Sequence, residues 1–270
     1  MDLGLRDRVY LVTGGSRGLG FAAAEALVAE GARIVLSSPR ESTAAAAAAS
    51  LDENTGRTGA VTWVAANNGD PGTPDRLIAA ARNRFSRLDG ALISTGGTPP
   101  GTVLGTTDEA WRSAFESVFL GAVRLARVLA ADLASQGDDA TTGAATGTRG
   151  SIVLVLAASV RVPLARLPIS NGLFPGLAGV VKALADELGP SGVRINALLP
   201  ARIATDRVRE FDALTGDPDE VRARQSELIP LRRYGEPEEF GRAAAFLLSP
   251  AASYITGAMM PVDGGAIRSI

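Results

Sequence analysis

The stretch Thr13-Gly-Gly-Ser-Arg-Gly-Leu-Gly20 is where the sequence offers chemistry most directly. It stands between a short β-branched apolar run, Val9-Tyr-Leu-Val-Thr13, and a helical pattern from Phe21 to Glu30. In that setting the glycines have separate jobs. One permits a tight turn, one lets the backbone approach a pyrophosphate, and one lets helix and strand pack closely. The phosphate charge then rests at the helix N-terminus. The turn reads as a dinucleotide cradle built from Gly14, Ser16, Arg17, Gly18, Leu19 and Gly20; an inherited tight turn that holds nothing is the other reading. The next apolar run, Arg33 to Ser37, ends in Ser37-Ser38-Pro39-Arg40 and carries no acid. An acid there would accept from a ribose 2′-hydroxyl and repel a 2′-phosphate. Two guanidiniums, Arg17 and Arg40, with the hydroxyls of Ser37 and Ser38 suit a phosphate dianion instead. The expectation is NADP(H), with NAD(H) as the alternative.

What is missing narrows the chemistry further. The chain has no Cys and no His. That excludes disulfides, thiol catalysis, zinc thiolate sites, a Ser-His-Asp triad and an HExxH site, and no metal is expected. Lys182 is the one lysine, and the tyrosines are Tyr10, Tyr234 and Tyr254. Residue 178 is Ala, so no Tyr stands four residues before a Lys. The formal net charge of -2 provides no strong field for nucleic acid or anionic lipid. No apolar run reaches the ~18 residues of a spanning helix, and the N-terminal residues lack the apolar core of a secretory signal. A cytoplasmic protein acting on a small molecule is expected.

The elements that must position these residues alternate along the chain. Strands are expected at Val61 to Ala65, Gly90 to Ser94, Ile152 to Ala157, Arg194 to Leu199 and Met259 to Val262. Helices are expected at Pro74 to Arg84, Asp108 to Ser135, Phe174 to Leu188 and Glu236 to Leu248, and the alanine tract 44–49 also favours helix. Continuous apolar strands between helices imply an α/β fold: a doubly wound, Rossmann-type parallel sheet covered on both faces. No linker divides residues 1–270, so a single domain is expected. Residues 136–150 lack periodicity and read as a flexible surface loop. Trp111, Phe115, Val118, Ala122, Leu125 and Leu129, widened by Phe119 and Val128, form one helical stripe. It packs on the sheet, and a second face of the same helix is a candidate subunit contact.

Several further segments, in order, resemble the short-chain dehydrogenases/reductases, close in pattern to the 3-oxoacyl-carrier-protein reductases. The glycine turn resembles the family's cofactor turn. Leu88-Asp-Gly-Ala-Leu-Ile-Ser-Thr-Gly-Gly97 stands where the family has its Asn-Asn-Ala-Gly strand end. Gly192-Val-Arg-Ile-Asn-Ala-Leu-Leu-Pro200, Arg233-Tyr-Gly-Glu-Pro-Glu-Glu239, Tyr254-Ile-Thr-Gly257 and Val262-Asp-Gly-Gly265 resemble later segments. The resemblance implies about seven parallel strands and a homodimer or homotetramer. It also implies cofactor contacts from Asn67 and Asn68, from Thr95 and Gly96, and from Pro200, Ile203 and Thr205.

The same resemblance exposes a departure. The family uses a Tyr as general acid/base, a Lys four residues later, a carbonyl-polarising Ser and an Asn on the long helix. These positions fall on Ser170, Phe174, Ala157 and Val118. Candidate replacements are Ser159, Ser170 and Asn171, with Ser94 and Thr95 across the cleft; Arg161 and Arg166 either hold an anionic group or are solvated. Residues 201–230 stand where the family has its substrate lid, and Arg202, Arg207, Arg209, Arg222 and Arg224 there are either a solvated face or an anion site. Three readings stay open: an oxidoreductase with a non-standard active site, an inactive NADP(H)-binding sensor, scaffold or partner subunit, and a lyase-type activity in the same cleft.

Overall fold

The computed structural model describes residues 2–135 and 148–269. Seven parallel strands form one sheet in the order β3-β2-β1-β4-β5-β6-β7. They are β1 (Val9–Val12), β2 (Arg33–Ser38), β3 (Val61–Ala65), β4 (Gly90–Ser94), β5 (Gly150–Val155), β6 (Val193–Pro200) and β7 (Met259–Val262). The central strands are buried on both faces, which is why they read as unbroken apolar runs rather than alternating ones.

Nine α-helices occur among the described residues: α1 (Gly18–Ala29), α2 (Glu41–Thr55), α3 (Thr73–Phe85), α4 (Asp108–Ala114), α5 (Gly121–Ser135), α6 (Pro168–Leu188), α7 (Asp206–Ala213), α8 (Pro218–Glu227) and α9 (Pro237–Leu248). One apolar cluster joins Leu77 of α3, Leu125 of α5 and Leu177 of α6 to the sheet. The opposite cluster joins Leu27 of α1, Leu51 of α2 and Phe240 of α9. The chain builds outward from β1 to β3, then returns to place β4 on the other side of β1. That reversal opens a crevice at the carboxyl ends of β1 and β4, the place where sheets of this topology bind ligands.

Three elements differ from the sequence expectation. α1 begins at Gly18, inside the glycine turn, so Leu19 and Gly20 already belong to the helix that Phe21 continues. α6 begins at Pro168 and runs through Pro175. Burial of Ile169, Phe174 and Leu177 outweighs the ~3 kcal/mol that an interior proline costs. The long helix is not continuous: a π-helical stretch, Phe115–Leu120, separates α4 from α5. Its extra residue shifts the phase of the stripe. Val118, Ala122, Leu125 and Leu129 reach the core, whereas Phe115 stays 46% exposed and stacks on Phe119 with ring centroids 5.2 Å apart. Residues 136–147 of the expected loop lie outside the described residues. No described helix is long and apolar enough to cross a membrane, and no group of potential metal ligands assembles among the described residues.

Candidate functional site

The glycine turn leaves β1 and enters α1 with Gly14 and Gly18 both at positive φ, a conformation that side chains disfavour. A Cβ on Gly20 would overlap the Gly14 carbonyl oxygen, so helix and turn meet only because that residue has no side chain. The N-terminus of α1 has no side-chain cap and no acid in its first turn. Its leading N–H groups and the positive end of the helix dipole therefore lack an internal anion. These features fit a dinucleotide pyrophosphate.

A hydrogen-bonded clasp holds the crevice open from below. The Thr13 hydroxyl accepts from the Ser94 N–H at 3.0 Å and donates to the Ser94 carbonyl at 3.2 Å. The Asn68 side-chain amide donates to the same carbonyl at 2.9 Å. Three strand ends, β1, β3 and β4, are thereby locked together. Asn67 lies exposed beside them and accepts the Gly69 N–H through Oδ1 at 3.0 Å. Thr95 is buried and donates to the Val155 carbonyl at 3.3 Å, tying β4 to β5. Gly96 is exposed at the strand end. Pro200 closes β6, Ile203 bridges to Gly235, and the Thr205 hydroxyl caps α7 by accepting the Val208 N–H. Gly18 faces Thr205, whose methyl would stand 3.7 Å from a Cβ there, so the turn and the lid entrance form opposite lips of one cleft.

At the adenosine end the two serines are enclosed. Ser37 is 1% exposed, and its buried hydroxyl has no partner among the described residues. The Ser38 hydroxyl is also buried and pairs with Thr43 at 2.8 Å. Both cations are exposed. Arg40 is exposed at the N-cap of α2, and Arg17 is exposed with Glu210 of α7 at 3.9 Å.

The chemistry end is built by β5 and α6. The hydroxyls of Ser159 and Ser170 stand 2.9 Å apart, and both residues are nearly buried, at 4% and 3% exposure. Ser159 Oγ also lies 3.3 Å from the Ser170 carbonyl oxygen. Asn171 does not join this pair: its amide donates to the Leu164 carbonyl and accepts the Leu164 N–H, which shapes the loop. Phe174 and Val118 are buried in the same apolar cluster. Gly172 and Gly176 of α6 receive the rings of Trp111 and Phe119, so aromatic packing rather than charge joins α4 and the π-helical stretch to α6. Arg161 and Arg166 are exposed.

The lid is helical. Asp212 of α7 is buried and bound by Arg202, while the Tyr234 hydroxyl donates to its other oxygen at 2.9 Å. Burial and that carboxylate push the Tyr234 phenol up to about 12. No spacing signal marks this triad, whose members come from three separate segments.

The profile of the family described as Enoyl-(Acyl carrier protein) reductase matches residues 14–266. The chain is 32% identical to the L-rhamnose 1-dehydrogenase (NAD(P)(+)) of Azotobacter vinelandii, over 97% of each chain. It is also 32% identical to the 3-oxoacyl-[acyl-carrier-protein] reductase of Synechocystis sp., over 97% of this chain and 98% of that one. The crystal structure of L-sorbose reductase from Gluconobacter frateurii, complexed with NADPH and L-sorbose, superposes over the full length of both chains with a TM-score of 0.87 at 30% identity. The chain belongs to the short-chain dehydrogenase/reductase family, whose members are NAD(P)-dependent oxidoreductases.

Proposed function

We propose that this chain is an NADP(H)-binding oxidoreductase that interconverts a carbonyl and a hydroxyl on a small molecule, through an active site lacking the family's Tyr–Lys pair. The observation that carries the proposal is the buried Ser159–Ser170 hydroxyl pair at the position where the family keeps its tyrosine. When bound, the nicotinamide supplies or takes the hydride. The chain's own residues do the rest. The uncapped N-terminus of α1 holds the diphosphate, and Arg17 and Arg40 face the 2′-phosphate. When Ser159 donates to Ser170 Oγ, the Ser170 proton is free to point at a carbonyl oxygen and polarise it. A serine hydroxyl has no pKa near neutrality, and Phe174 brings no positive charge to lower it. The site therefore orients and polarises but transfers protons poorly. Loss of a positioned general acid costs about 10²–10⁴ in rate. The names of the relatives, a rhamnose dehydrogenase and a sorbose reductase, support a polyhydroxylated carbonyl as the kind of substrate to try first. Assembly as a homodimer or homotetramer belongs to the same proposal, supported by the exposed Phe115 and the fully exposed Tyr254.

Fluorescence titration with NADPH and NADH, followed by NADPH oxidation with a ketose panel, tests this reading. The expected result is tighter binding of NADPH than of NADH, with turnover well below the ~10 s⁻¹ typical of enzymes, and at least a tenfold further loss in Ser170→Ala. No binding of either cofactor at millimolar concentration overturns the proposal. One observation favours a second reading. Val118 and Phe174, 4% and 5% exposed, leave apolar packing where the family has polar relays. A protein that binds NADPH yet turns over nothing is that second case, an inactive NADP(H)-binding sensor, scaffold or partner subunit.

A further inference from the structure

Four of the five arginines in and beside the lid are engaged with carboxylates or solvated. Arg202 is bound to Asp212, Arg209 pairs with Asp219 at 3.0 Å, Arg222 reaches Glu236 at 3.6 Å, and Arg224 is exposed. Arg207 differs from all of them. It leaves the first turn of α7 and crosses the mouth of the cleft to the end of β4. Its guanidinium lies directly against Gly97, in space that any Cβ there would fill. Nη2 donates to the Thr98 carbonyl oxygen at 2.7 Å, and among the described residues this is its one hydrogen bond. The residue is exposed as a whole, and what sets it apart is that its guanidinium lies on this loop instead of on a carboxylate. Partial loss of hydration lowers its pKa, with Glu210 opposing the effect and Arg17 adding to it.

A guanidinium carries five N–H donors in a planar fork matched to a carboxylate. One donor is met here. The other four have no acceptor among the described residues, on a cation that has already lost part of its water. The loop beneath it leads to the chemistry. Thr98 stands three residues beyond Thr95, and Gly101 donates its N–H at 2.9 Å to the carbonyl of Arg166, four residues before Ser170.

The geometry points to Arg207 as the residue that selects a carboxylate-bearing carbonyl substrate, gripping the carboxylate at the Gly97–Thr98 lip while the carbonyl sits at the Ser159–Ser170 end of the cleft. This rests on the proposed function and replaces the neutral ketose of its first assays with a carbonyl compound that bears a carboxylate.

The test uses the full chain saturated with NADPH. Pyruvate, acetoacetate and levulinate are compared with their keto-alcohol counterparts and with L-sorbose, by NADPH oxidation and by equilibrium binding. Wild type is expected to favour the carboxylates at least tenfold. In Arg207→Met the ratio of carboxylate to neutral efficiency falls about ten- to a hundredfold, through KM rather than kcat, the range expected for one charge-assisted pair. Arg207→Lys recovers part of the ratio, because it keeps the charge but not the fork. NADPH affinity within twofold of wild type shows that each variant is folded. Equal loss on carboxylate and neutral compounds marks a purely structural strap and overturns the inference. So does a wild type without preference, and so does a preference for dihydroxyacetone phosphate over the carboxylates. A wild type that fails to bind NADPH overturns the proposed function and this inference together. NADPH binding without an Arg207-dependent preference overturns this inference alone.

Discussion

Two hydroxyls that face each other in a buried site are not equivalent when one is removed. Ser159 Oγ has the Ser170 carbonyl as a second acceptor at 3.3 Å, whereas Ser170 Oγ has Ser159 alone among the described residues. Ser159→Ala therefore strands a buried hydroxyl and is expected to cost about 1–3 kcal/mol, while Ser170→Ala leaves its neighbour a partner and is expected to cost about 1 kcal/mol or less. Urea denaturation of both single variants and the double variant checks the order and the coupling. A larger loss from Ser170→Ala would reveal a further partner for that hydroxyl. At this scale the glycine turn was fully legible, because its residue types encode backbone geometry. The Thr13–Asn68–Ser94 clasp was not, because its partners lie 26 to 81 residues apart and share no pattern. Ser37 shows the converse limit: spacing places its hydroxyl at a strand end but does not reveal that it is buried without a partner among the described residues.

Among the elements, α9 shows how one side chain can serve both a helix terminus and a charge pair. Glu239 accepts the Glu236 N–H at 2.8 Å, and Arg233 donates to its two oxygens at 2.7 Å each. The Arg233 bonds, then the backbone N–H, hold its carboxyl down at about 2. A carboxylate whose pKa is lower folded than unfolded stabilises the protein above its unfolded value of 4.5, and that contribution is lost as pH falls from 4.5 toward 2. Glu239→Gln is thus expected to lower Tm at pH 7, with the difference from wild type closing across that acid window; thermal melts from pH 2 to 7 measure it. A difference that persists at pH 2 would assign the effect to packing rather than charge. The strands and most helices were readable because burial on two faces and helical spacing leave plain signatures. The π-helical stretch left none, since the inserted residue is recognised only by the phase it imposes on Phe115 and Phe119. The start of α6 was obscured by Pro175, whose local cost is overridden by contacts distant in sequence.

On the scale of the molecule, the lid helices pack on each other rather than on the strands, and that separation makes their opening testable. Ile203 bridges to Gly235, and Ala204 donates to the Gly235 carbonyl at 2.8 Å, fixing the lid's root. Beyond that root, α7 and α8 border a half-open pocket of about 140 Å³ lined by Thr205, Asp212, Pro218 and Tyr234. The buried ion pair of Arg202 with Asp212 is what closes α7 onto Tyr234. Removing one partner of such a pair costs about 3–5 kcal/mol, because the remaining charge stays buried. In Arg202→Met the cheapest relief is for α7 to swing Asp212 into water, which breaks no strand pairing. The destabilisation is therefore expected to appear as local opening. Amides of residues 206–227 should exchange about a hundredfold faster or more, while those of β1, β4 and β5 keep their protection. Hydrogen exchange read by mass spectrometry on wild type and Arg202→Met decides the matter. Uniform acceleration across sheet and lid would show that the lid opens only with the whole fold. The cleft would then admit its ligands through side-chain movement at Arg207 and Arg17 rather than through motion of the helices that carry them.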